Sequence, residues 1–275
     1  MIHPIATIGL FTDPHFAHLF YGDRHCEDSL HKLSACVEIF SSRGLDTVIN
    51  LGDFIDKAED KHTELENLNT IRGVFEHFQG SRHFVIGNHD VATLTKSEFL
   101  AGCGTATEKT YYAFDCHGVR CVILDSNCHR DGRDFSEGDF DWDNAWISDS
   151  QIAWLSTELS SAHDQQVLVF CHGNLDGRLW NGQLDPHVVK NATRVRALLE
   201  DSGVVRAVIQ GHYHTGLANV VGCIPYIGLR AMVVGPGLDQ NAYAILSVFE
   251  DGRLELEGFG KQPSISISAD GEITS

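Results

Sequence analysis

Ile5-Ala6-Thr7-Ile8-Gly9-Leu10-Phe11-Thr12-Asp13-Pro14-His15 is a short apolar run that stops at two metal-ligand residue types. Short Val/Ile/Phe-rich runs bounded by Gly and polar residues read as buried strands. Four further runs repeat the arrangement. Residues 46–51 lead into Gly52-Asp53, with Asp56 following, and residues 83–86 lead into Gly87-Asn88-His89-Asp90. Residues 166–171 lead into His172, and residues 204–210 lead into Gly211-His212-Tyr213-His214. In open α/β sheets, ligands collect outside the carboxyl ends of the strands. Strands ending in this way bring their terminal side chains to one edge.

The segments between these runs alternate in period. Leu30, Leu33, Val37 and Phe40 have helical spacing over 27–43, with Gly44 as a stop signal, and Leu65, Leu68, Ile71, Phe75 and Phe78 have it over 62–79. Thr95-x-x-Glu98 is a capping box that opens a short helix. Strands over 110–115 and 119–125 flank a His117-Gly118 turn. Ser148 caps a helix, residues 188–199 read as another, and β-type stretches near 217–223, 226–234, 242–249 and 253–259 close the chain. The order predicts an α/β fold of two sheets packed face to face with helices outside; a single doubly wound sheet is the alternative. We expect one domain over 1–260, a polar insertion at 126–147 that Trp142 and Trp146 anchor, with stacking on a base as the alternative, and a loose tail over 261–275.

Composition removes several classes of function. With 275 residues and 43% hydrophobic content the chain can bury a real core, so disorder is excluded. No apolar run approaches the roughly 20 residues that cross a bilayer. The start, Met1-Ile2-His3-Pro4, has no basic n-region, and the eight cysteines form no C-x-x-C pair. Buried thiols in a reducing cytoplasm are the expectation. A net charge of −18 and the lack of a basic stripe oppose nucleic-acid polymers as partners. The sequence leaves the oligomeric state open. Asp139-x-Asp141-x-Asp143 imitates a calcium loop but has Asn144 and Ser150 where that loop needs Gly and Glu.

Phosphoester hydrolysis must stabilise an attacking oxygen, a leaving oxygen and the charge added to the phosphoryl group. Two metals about 3.5–4 Å apart do all three. They need one bridging carboxylate and His, Asp or Asn to fill each shell. The strand ends supply that set. Asp13, His15, Asp53 and His214 suit one metal; Asp53, Asn88, His172 and His212 suit the other, with Asp53 shared. Two divalent cations against Asp13, Asp53 and a bridging hydroxide leave the site locally positive, as a small phosphorylated substrate requires. The hydroxide is the expected nucleophile. His89, next to Asn88, is the candidate general acid, with Asp56 holding its imidazole and Asp90 the weaker alternative. Arg24, Tyr21 and Asn174, with Asn88 and His89, are candidate substrate contacts, and His18 a lesser one.

The blocks Asp13-x-His15, Gly52-Asp53-x-x-Asp56, Gly87-Asn88-His89-Asp90, His172 and Gly211-His212-x-His214 resemble, in order, those of the calcineurin-like metallophosphoesterase superfamily. The resemblance implies a four-layer αββα sandwich and a dinuclear Mn, Fe or Zn centre. Lys57 and Ile86 stand where protein Ser/Thr phosphatases carry Arg, and Asp56 where purple acid phosphatases carry Tyr. Arg24, Tyr111-Tyr112 and Asp125 are similar to the manganese-dependent ADP-ribose/CDP-alcohol diphosphatase-like branch, and class III cyclic-nucleotide phosphodiesterases share the blocks. Cys171-His172-Gly173-Asn174 departs from the His-x-Pro of many relatives. The expected activity is cleavage of small, nucleotide-like phosphodiesters or pyrophosphates. A phosphomonoesterase with the same site is the alternative, and an inactive scaffold a lesser one.

Overall fold

Alternation along the strands decides what each face of a sheet covers. The structure, a computed structural model, describes residues 3–105, 107 and 109–274; the first two residues and Ser275, at the end of the expected tail, lie outside the described residues. The first half of the chain holds β1 (Ala6–Phe11), β2 (Phe20–Tyr21), β3 (Arg24–His25), α1 (Ser29–Ser42), β4 (Thr47–Asn50), α2 (Lys61–Phe75), β5 (Ser81–Phe84), α3 (Lys96–Gly102), β6 (Tyr112–Cys116) and β7 (Val119–Leu124). Then follow α4 (Asp149–Ser161), β8 (Gln166–Cys171), β9 (Leu179–Trp180), β10 (Gln183–Leu184), α5 (Ala192–Ser202) and β11 (Val205–Gln210). The chain closes with β12 (Thr215–Val221), β13 (Ile224–Arg230), β14 (Ala242–Val248), β15 (Leu254–Gly260), β16 (Ile265–Ile267) and β17 (Ile273–Thr274).

Seven strands form one mixed sheet in the order β17-β16-β15-β14-β1-β4-β5, and six form a second in the order β12-β13-β11-β8-β7-β6. Along β8, Leu168 and Phe170 point into a core shared with Ile8, Leu10, Ile49 and Leu246 of the other sheet. Val167, Val169 and Cys171, at the alternate positions, pack with Leu155, Leu159, Val195 and Leu199 of α4 and α5. Phe11 and Val48 turn away from the inter-sheet core to meet Leu33, Phe40, Leu68 and Phe75 of α1 and α2. Two sheets back to back, each roofed by helices, make the αββα sandwich. No element among the described residues is long and apolar enough to cross a membrane as a helix. All eight cysteines are unpaired, and only Cys223 is exposed.

Two expectations are corrected. The stretch after residue 260 is not a loose tail: β16 pairs with β15, and β17 with β16. Ser264-Ile265-Ser266-Ile267-Ser268 carries the two-residue period of a half-buried strand, with both isoleucines buried. The helix expected from residue 188 begins only at Ala192. The Asn191 side chain accepts from the Ile147 N–H at 3.1 Å and donates to the Ile147 carbonyl at 2.7 Å, which holds its backbone outside the helix.

Candidate metal centre

β1, β4 and β5 are parallel neighbours in one sheet, and β8 and β11 are parallel in the other. Their carboxyl ends therefore open at one edge of the sandwich, and the loops beyond them are stitched together. Asp13 N–H donates to Gly52 O at 3.0 Å, and His15 N–H to Asp53 O at 2.9 Å. Buried Asp90 accepts from the N–H groups of Phe54, Ile55 and Gly87, tying the Asp53 loop to the Asn88 loop. A Cβ on Gly87 would fall on the backbone nitrogen and Oδ1 of Asp53, so the two loops meet this closely only through glycine. Asp13, His15, Asp53 and His212 all adopt positive φ, four of the seven non-glycine residues that do so among those described. Such backbone is costly away from glycine, and its concentration here marks a functional site.

The side chains converge accordingly. Nε2 of His15 lies 3.2 Å from Nε2 of His214, 3.4 Å from Asp53 Oδ2 and 3.6 Å from Asp13 Oδ1. His214 Nε2 is 3.4 Å from Asp13 Oδ1. On the far side of Asp53, the same Oδ2 lies 3.2 Å from His172 Nε2, and His212 belongs to this second group. Donor atoms each about 2.1 Å from a common cation, at tetrahedral to octahedral angles, stand roughly 3.0–3.4 Å apart. Four of the five separations match that spacing, and the 3.6 Å between His15 and Asp13 lies just beyond it. Asp13 Oδ1, Asn88 Oδ1 and His172 Nε2 are buried atoms with no hydrogen bond. Orphaned buried donors and acceptors are expensive; a pair of cations would partner all three, one at Asp13 and one at Asn88 and His172. His172 Nδ1 is held at 2.8 Å by the Leu51 carbonyl, which leaves Nε2 for coordination.

The charges agree. Burial alone would raise the carboxyl of Asp13, yet His15, His214 and His172 hold it well below the usual range. Asp53 is likewise depressed against its burial, by His172, His89 and His15. Burial disfavours the charged form of His15, but Asp53, Asp13 and Asp56 raise its pKa to about 10; Asp53 and Asp13 similarly raise His172 to about 9. Carboxylates that hold protons on imidazoles this firmly present the charge demand that a divalent cation answers by displacing those protons.

Beside this cluster lies a cleft of about 380 Å³ lined by Arg24, Asp53, Asn88, His89, Trp142, His187, His212, Tyr213, His214 and Thr215. A larger one, about 560 Å³, lies at the start of β11 around Arg206, at the far end of that strand from His212, and takes no part in the site. Asp56 Oδ1 is 2.8 Å from His89 Nδ1, and its Oδ2 accepts from Arg24 at 3.0 Å and lies 3.2 Å from His15 Nδ1. Asp90 faces backbone and leaves His89 to Asp56. Three expected substrate contacts fall elsewhere. Tyr21 is 74% exposed on the β2–β3 hairpin, outside the cleft lining. His18, also exposed, pairs with Glu27. Asn174 is fully buried and donates to the Gly211 carbonyl at 2.9 Å, supporting the His212 turn from behind.

Four lining residues, Trp142, His187, Tyr213 and Thr215, were not among the expected site residues. His187 sits in a loop without period, and only its Asp-x-His spacing from Asp185 could have singled it out. Trp142 does not anchor the insertion as expected: it is 39% exposed, with its ring 5.4 Å from that of His187 and 5.7 Å from that of His212. Trp146 is partly buried, its backbone N–H donating to Cys128 O at 3.0 Å and its indole N–H to Asn144 Oδ1 at 3.3 Å.

Known proteins with the same fold and sequence pattern extend this picture. The family model described as calcineurin-like phosphoesterase matches residues 6–216. A glycerophosphodiester phosphodiesterase, GpdQ, of Enterobacter lignolyticus is 26% identical over 209 residues, 70% of this chain and 68% of the relative. A manganese-dependent ADP-ribose/CDP-alcohol diphosphatase of Oryza sativa subsp. japonica is 24% identical over 255 residues, 78% of each. The crystal structure of a dimetal phosphatase from Danio rerio superposes with a TM-score of 0.82 at 21% identity, covering 97% of this chain and 99% of that one.

Proposed function

This chain belongs to the calcineurin-like phosphoesterase family, hydrolases of phosphoric esters, and from that premise we propose that it cleaves small phosphodiesters or pyrophosphates, with nucleotide-like compounds among them. One observation carries the reading: Asp53 Oδ2 lies within 3.4 Å of His15 Nε2 and 3.2 Å of His172 Nε2, joining two donor groups through a single carboxylate. Asp13, His15, Asp53 and His214 would hold one cation, and Asp53, Asn88, His172 and His212 the other. Mn, Fe and Zn all suit this mixture of imidazole, carboxylate and amide. Bound there, such a pair supplies Lewis acidity toward the phosphoryl oxygens and lowers the pKa of coordinated water.

The chain's own groups do the rest. Asp56 orients the His89 imidazole through Nδ1, so that His89 can hand a proton to the departing oxygen. Arg24, fixed by Asp56 at the rim of the cleft, offers its remaining N–H groups to a phosphoryl oxygen. The cleft extends past the cluster to Trp142 and Tyr213, which leaves room for the organic group that a diester carries and inorganic phosphate lacks. The two relatives named above as acting on a glycerophosphodiester and on diphosphates support the same class. Seven buried, unpaired cysteines support residence in a reducing cytoplasm.

Manganese-loaded protein is expected to hydrolyse bis-p-nitrophenyl phosphate with a higher kcat/KM than p-nitrophenyl phosphate. A panel adding ADP-ribose, cyclic nucleotides, glycerophosphodiesters and simple monoesters refines the class. The reverse order with the nitrophenyl pair would make the protein a phosphomonoesterase.

A further inference from the structure

The cleft carries the same three-residue arrangement on two walls. On one, Arg24 holds Asp56 and Asp56 holds His89. On the other, Arg178 Nε lies 3.1 Å from Asp185 Oδ2, and Asp185 Oδ1 lies 2.8 Å from Nδ1 of His187. The β9–β10 hairpin builds this second wall. Leu179 pairs with Leu184 and Trp180 with Gln183, which brings Arg178 and Asp185 face to face at its base, where Asp185 N–H donates to Arg178 O. Arg178 is fixed in turn by buried Asp176, whose Oδ1 accepts from its Nη1 at 3.3 Å, and by the Tyr213 ring, 4.2 Å beneath its guanidinium. Asp176 also accepts from Asn219 at 3.1 Å.

We propose that His187 is a substrate-binding residue that donates a hydrogen bond to a phosphoryl oxygen from the His212 side of the cleft, with Asp185 and Arg178 as its positioning residues. This rests on the phosphoesterase reading above. Asp185 occupies Nδ1, so Nε2 is the nitrogen left for the cleft that His187 lines. The ring is confined by three aromatic neighbours, its centroid 5.0 Å from that of His212, 5.1 Å from Tyr213 and 5.4 Å from Trp142. A histidine whose only task was to tie down the loop needs no Asp–Arg–Asp chain behind it, nor a place in the cleft wall. A preorganised donor of this kind contributes to the bound substrate and to the transition state alike, so its loss falls on KM more than on kcat.

The test compares wild type, His187→Ala, His187→Gln and Asp185→Asn, all manganese-loaded, using KM and kcat for bis-p-nitrophenyl phosphate, calorimetric Kd for inorganic phosphate, and metal content. His187→Ala is expected to raise both KM and Kd about tenfold or more, the loss of one charge-assisted hydrogen bond, with a smaller change in kcat and no loss of metal. His187→Gln, which keeps a donor, recovers part of the affinity, and Asp185→Asn falls between. Unchanged KM and Kd in His187→Ala, or a loss confined to kcat, overturns the assignment, as does loss of metal. A wild type that binds phosphate in a His187-dependent way but does not cleave the diester would sink the diesterase reading and leave His187 in place.

Discussion

Asp53→Asn is expected to cost the protein both cations and on the order of 10³-fold or more in turnover. The substitution is nearly isosteric and removes one negative charge from the only carboxylate among the described residues whose oxygen reaches both donor groups, 3.4 Å from His15 Nε2 and 3.2 Å from His172 Nε2. Its Oδ1 also accepts the His89 N–H at 2.8 Å, a contact that an amide can keep only if its oxygen points there. The amide nitrogen then faces two imidazoles and cannot ligate. A two-metal site contributes several kcal/mol of transition-state stabilisation, and each 1.36 kcal/mol is tenfold in rate. Metal content by atomic emission after gel filtration, with far-ultraviolet circular dichroism as the check on folding, reads the outcome. Two cations retained in a folded Asp53→Asn protein would remove Asp53 from its bridging place.

His89→Ala should separate chemistry from metal binding. His89 lines the cleft, its backbone N–H bonds to Asp53, and its Nδ1 is committed to Asp56. A ring nitrogen of His89 comes within 4.8 Å of ligand atoms of His15 and Asp53, but with Nδ1 committed to Asp56 and the two donor groups filled by other residues the variant is expected to load metal like wild type. Positioned general acids contribute about 10²–10⁴-fold. A loss of that size is expected with glycerophosphodiesters, whose alkoxide leaving group needs a proton, and a much smaller one with nitrophenyl esters, whose phenolate does not. Equal losses on both substrates would deny His89 the acid's role. Asp56→Asn is a poorer probe of the same step, because Asp56 also lies 3.2 Å from Nδ1 of His15 and would disturb both groups together.

The elements that position the site were legible where a period and a chemical residue coincide. β1, β4, β8 and β11 are short, largely apolar runs, while β5 covers Ser81–Phe84, two residues ahead of the expected apolar run; side chains just past a parallel strand have little choice of edge, so Asp13, Asp53 and His172 meet there. Ser148 and Thr95 announced their helices through capping chemistry that the structure reproduces. The walls of the cleft were not legible. His187 and Trp142 reach it from segments without period, placed by the β9–β10 hairpin and by the backbone bridges Cys128–Trp146 and Asn174–Val188. Asn174 and Tyr21 lie outside the cleft lining for the same reason: proximity in sequence to His172 and Arg24 says nothing about which way a loop turns. Asn174 turned inward to the Gly211 carbonyl, and Tyr21 outward to solvent.

A crystal soaked in manganese and measured at the manganese absorption edge would locate the cations on either side of Asp53. Two anomalous peaks are expected about 3.5–4 Å apart, one on each side of the Asp53 carboxylate, the first touching Asp13, His15 and His214 and the second Asn88, His172 and His212. A single peak, or a pair of peaks that leaves Asp53 out of either shell, would contradict the two-metal reading.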